Sequence, residues 1–139
     1  MIEYHYETEF KLESETNFSD WISRLLQSEQ AILGHLNYIF CSDDYLLKIN
    51  QQYLLHSDFT DIITFDYSEG KTISGDVFIS VDRVRDNAGA FGVSFSDEIL
   101  RVMAHGILHL LGFGDKSEEE SRMMRLKEEE KMKLFHVEQ

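Results

Sequence analysis

The segment from Ala104 to Asp115, AHGILHLLGFGD, constrains the chain more than any other stretch. His105 and His109 are four residues apart. Four helical residues turn through ~400°, so both rings leave the same face, one turn apart. Gly106, Ile107, Leu108, Leu110 and Leu111 surround them, which predicts a buried, central helix.

Two core histidines bonded to backbone would account for a bare HxxxH pair. Three further features favour a metal. Gly112 stands three residues after His109 and can end the helix at positive φ. Asp115 follows three residues later, where a reversed chain can return a third ligand. Histidines without partners would also be costly in so apolar a setting. His105, His109 and Asp115 are therefore the predicted ligands of one divalent ion per chain. Zinc is the first choice. Three protein ligands leave one position open, as in catalytic zinc sites, where the ion acidifies water and polarises a substrate oxygen. The aspartate hardens the ligand set, which leaves manganese, nickel or iron as alternatives.

The outline HxxxHxxGxxD is that of the metzincin proteases, whose general base is a Glu directly after the first His. Here that position is Gly106. The base is absent, which argues against a standard protease. The glycine is expected to open space beside the metal for a bulky substrate.

The length, 139 residues, predicts a single domain over 1–139. The polar N-terminus has no apolar core of a signal peptide, and no apolar run approaches the ~18 residues of a membrane span. A lone cysteine, Cys41, excludes an intramolecular disulfide and a Cys-rich zinc site, and reads as a small core residue. The expected location is the cytoplasm, without membrane partners. The net charge of −13 opposes DNA binding by long-range attraction, although a metal with local basic residues could still hold a phosphodiester.

Patterning predicts strands over 4–12, 36–41, 61–67 and 76–81, with the last two forming a hairpin. It predicts helices from an Asn17 or Ser19 cap to Gln30, from Ser42 to near His56, over 81–91 and 97–111, and from Ser117 to about Phe135. The expected class is α/β (α+β): a small mixed sheet of about four strands with about five helices.

The segment HGILHLLGFGD resembles the YbeY family of metal-dependent rRNA-maturation endoribonucleases, whose motif is HGxLHLxGYDH. Two further blocks agree in order and spacing, INQQYLLHSDFTDIITFD from Ile49 and SGDVFI from Ser74. The resemblance spans about residues 36 to 125. It implies a zincin-related fold and hydrolysis of single-stranded RNA near the 3′ end of small-subunit rRNA, with ribosomal proteins as further partners. It carries the metal ligands onto His105 and His109, and onto Asp115 by position, where the family has His. The family Arg falls on Leu54, and the Pro before Thr-Asp falls on Phe59. His56, Arg83, Arg85 and Arg101 are candidate replacements for the lost cation.

Asp61 is read either as a residue orienting a ligand histidine or as a strand cap. His56 and Asp61 are the weak catalytic candidates. Asp76 is expected to bond backbone at a sheet edge. His5, His35 and His136 have no partner at ligand spacing. Met123, Met124, Leu126, Met132 and Leu134 are expected to pack, and Glu118–Glu120 and Glu128–Glu130 to form a solvated face. The reading that results is a metal-dependent ribonuclease. Its rivals are a zincin-like peptide or amide hydrolase, a ribosome-associated factor with a structural metal and, remotely, a non-haem iron oxygenase.

Overall fold

The structure is a computed structural model that describes residues 1–55 and 59–135. Its elements run β1 (Ile2–Tyr6), α1 (Glu15–Ser28), β2 (Ile32–Cys41), α2 (Asp43–Leu54), β3 (Ile62–Asp66), β4 (Thr72–Ser80), α3 (Val81–Phe91), α4 (Phe95–Leu110) and α5 (Glu118–Phe135). These four strands and five helices match the expected class.

The strands form one mixed sheet in the order β1-β2-β4-β3. β1 and β4 both run parallel to β2, and β3 returns antiparallel along β4 as an edge strand. The hairpin expectation therefore holds. Alternation divides the side chains between two faces. Leu36, Tyr38 and Phe40 of β2 and Ile73, Val77 and Ile79 of β4 join the main core, with residues of α1, α3 and α4. Cys41 and Ile63, from the opposite face, meet Leu46 of α2 in a smaller cluster.

Several boundaries differ from expectation. β1 stops at Tyr6 because its pairing ends at Phe40, one residue before β2 ends. Glu7 still donates to the Phe40 carbonyl, and the chain then turns. Ser14, not Asn17 or Ser19, caps α1, accepting from the Asn17 amide. α2 ends at Leu54, with Leu55 in the left-handed region at φ 57°. Asp76 lies on an interior strand and accepts from the Asn37 side-chain amide at 3.0 Å, so its partner is a side chain and not edge backbone.

The charged face predicted for α5 is only partly wet. Glu128 and Lys131 are buried, the lysine between Ser28, Glu29 and Glu130. Conversely, Met123 and Leu126 are exposed, while Met124 packs. α5 turns its Met124–Glu128–Lys131 line inward, and burying two charges there requires partners for both.

Candidate metal centre

α4 lies between the sheet and α5. Ser94 caps its start, accepting from the Asp97 amide at 3.0 Å. Gly106 faces the sheet, not the metal: a Cβ there would stand 2.9 Å from Val77 Cγ1 and 3.0 Å from Ile62 Cδ1. The glycine therefore lets α4 approach β3 and β4. The expectation that it clears space for substrate is corrected on this point.

With Gly106 against the sheet, His105 and His109 share another side of the helix. Their ring centroids are 4.5 Å apart. α4 ends at Leu110, and Gly112 reverses the chain at φ 103°, a conformation that favours glycine. Its amide donates to the His109 carbonyl, and that of Phe113 to the Leu108 carbonyl. The returning loop is fixed by a capping box at the start of α5. Ser117 Oγ accepts from the Glu120 amide, and Glu120 Oε1 accepts from the Ser117 amide. Ser121 Oγ adds a bond to the Asp115 carbonyl.

Asp115 Oδ2 consequently lies 3.4 Å from His105 Nε2 and 3.3 Å from His109 Nε2. One donor atom from each residue falls within 4.8 Å of the others. A tetrahedral zinc ion with bonds of roughly 2.0–2.1 Å needs donors about 3.3–3.4 Å apart. The donor set fits such an ion.

The surroundings fit as well. His105 Nδ1 is 2.6 Å from the buried Glu128 Oε2, which leaves Nε2 turned toward Asp115. Arg101 lies one turn before His105. It donates through Nε and Nη2 to Glu98 and through Nη1 to Glu128, and its Nη2 is 3.7 Å from Asp61. Burial alone would weaken the guanidinium charge, but the Glu98 and Glu128 carboxylates raise its pKa above the usual value. Burial raises the Asp61 carboxyl, against the lowering effect of Arg101 and His105. Asp61, Glu98, Asp115 and Glu128 thus converge on one guanidinium and two imidazoles, a balance that a divalent cation would improve.

His105, His109, Asp115, Asp61 and Arg101 all line one cleft of ≈ 590 Å³. Leu54, Phe59 and Thr60 line it too. Of the candidate replacement cations, Arg101 stands in the cleft, Arg83 lies over Phe59 and Arg85 lies over Phe95. His56 and His136 fall outside the described residues. His5 and His35 are exposed, each near Glu3 on β1. Glu128, expected on a solvated face, is the carboxylate in contact with His105 Nδ1. One local signal touches this network: Arg101 is i−4 from His105 and so shares its face of the helix.

A small mixed sheet crossed by a helix that presents two histidines, with a carboxylate returned by the following loop, defines a mixed α/β scaffold with a candidate three-donor metal site. The family described as Endoribonuclease YbeY matches residues 2–136, and the chain belongs to that family. It is 56% identical to an Endoribonuclease YbeY of Flavobacterium johnsoniae over 100% of both chains. It is 52% identical to one of Flavobacterium psychrophilum over 100% of this chain and 99% of that one. Among solved structures it is similar to TM1509 of Thermotoga maritima, with a TM-score of 0.68 and 25% identity, covering 97% of this chain and 89% of the other. Among the described residues, no helix is long and apolar enough to cross a membrane.

Proposed function

We propose that this protein is a metal-dependent endoribonuclease that cleaves single-stranded RNA during maturation of small-subunit rRNA in the cytoplasm, with one zinc ion held by His105, His109 and Asp115. The observation that carries the reading is the convergence of these three donors in one cleft, in a chain of this family. The bound ion would supply Lewis acidity to water and to a phosphoryl oxygen.

The protein's own groups have separable tasks. Glu128 holds the His105 ring in one orientation and tautomer. Arg101 puts a positive charge in the cleft beside Asp61, where an anionic phosphodiester would settle. Asp61 is the proton acceptor in this reading: it lines the cleft, and its raised pKa brings it closer to the pH at which a base works best.

Single-stranded RNA, duplex RNA and a peptide library should be offered to the purified protein with and without a chelator. Cleavage of the single strand alone, stopped by the chelator and absent in His105→Ala, supports the reading. Peptide cleavage without RNA cleavage would replace it with the amide-hydrolase rival. Rescue of cells lacking the protein by a folded, metal-free variant would favour a ribosome-associated factor.

A further inference from the structure

Phe59 lines the cleft that holds His105, His109 and Asp115, yet it is 51% exposed. Of the ten phenylalanines Phe40 is buried and seven are partly buried, and Phe59 and Phe91 are the exposed ones among the described residues. Leaving an aromatic ring half in water forgoes burial energy, and its place in the lining of the cleft lets a ligand recover it. Leu54, also exposed, lines the same cleft.

The ring is backed on one side. The Arg83 guanidinium carbon stands 5.4 Å from its centroid, within cation–π range. Arg83 is itself pinned: Nη2 donates to Asp43 Oδ2 at 2.7 Å, and the other oxygen of Asp43 accepts from Ser80 Oγ at 2.6 Å. The support for the ring is therefore built from α2, α3 and the end of β4. With Arg83 in place the residue still keeps half of its surface exposed.

We propose that Phe59, braced by Arg83, is a stacking platform for one nucleobase of a single-stranded RNA substrate. The proposal rests on the endoribonuclease reading and names a subsite within it. A planar π surface suits any base, and a base is free to stack on it only when released from a duplex, so the platform would contribute to single-strand preference without reading sequence. A cleft of ≈ 590 Å³ lies within the roughly 300–1,000 Å³ range of small-ligand sites.

The test uses the metal-loaded full chain and a single-stranded oligoribonucleotide carrying 2-aminopurine, with binding read by stopped-flow fluorescence before turnover. Stacking should quench the probe. Phe59→Ala and Phe59→Leu should both weaken binding roughly 5- to 100-fold, the span of base–aromatic stacking, and raise KM more than they lower kcat. Phe59→Trp should restore quenching, and on an abasic strand the wild type and Phe59→Ala should bind alike. Wild-type affinity in Phe59→Leu would overturn the platform, because leucine keeps apolar bulk and lacks the π face. An equal Phe59→Ala loss on the abasic strand would overturn it too, by showing that the ring does not meet a base. Failure of the parent reading looks different: the wild type would then bind no RNA, or cleave it regardless of the chelator.

Discussion

His105 Nδ1 stands 2.6 Å from Glu128 Oε2, a contact between residues 23 positions apart that joins α4 to α5. It fixes which imidazole nitrogen is left for a metal. Glu128→Gln keeps the size of the side chain and removes its charge. Metal affinity measured by chelator competition should fall about 10- to 100-fold, with helical content unchanged by circular dichroism. Unchanged affinity would remove Glu128 from the site's design.

Metal analysis of the purified protein should give one ion per chain. His109→Ala should lose it, and Asp115→Ala should weaken it. Asp115→His, which keeps a metal-binding donor at this position, should retain it. Full occupancy in His109→Ala would overturn the ligand set.

Gly106→Ala should destabilise the protein even though alanine is the better helix former by roughly 0.8–1 kcal/mol. The added carbon meets Val77, a β-branched side chain with little freedom, and Ile62. Overpacking of this kind costs about 1–3 kcal/mol, and a thermal melt should show Tm lowered. A raised Tm would mean that β3 and β4 shift freely away from α4.

The Cys41 thiol is buried, and burial pushes its pKa from 9.0 up to about 12. The folded state then holds its proton more tightly than the unfolded state. The resulting stability is fully present below pH 9 and is lost as pH rises toward 12. Cys41→Ala should flatten this part of the stability–pH curve, whatever its effect at neutral pH. Thiol alkylation of the native protein at pH 8 should be slow and accelerate on unfolding. Fast alkylation of the folded protein would contradict the burial.

The readable part of this molecule is local. The two histidines, the glycine that reverses the chain at φ 103° and the capping serine of α5 each act within a few residues, so spacing reveals them. The β3–β4 hairpin was readable for the same reason. Glu128 and Glu98 were hidden because nothing near them in sequence tells a buried carboxylate from its solvated neighbours; only the packing of α5 on α4 does. Gly106 misled for a related reason. Spacing places it beside two ligands, but its neighbours are strands 29 and more residues earlier in the chain. The end of β1 is set by where its pairing with β2 stops, at Phe40, not by its own alternation.

The placement of Glu128 on α5 also imposes an order of events. A chain emerging from the ribosome presents His105 and His109 before the helix that steadies one of them exists. Until α5 folds back across α4, the first imidazole can rotate and either of its nitrogens can face a metal. On the proposed metal reading, firm retention would be acquired late in synthesis, and a truncated chain lacking α5 would keep His105 and His109 without the contact that steadies the first.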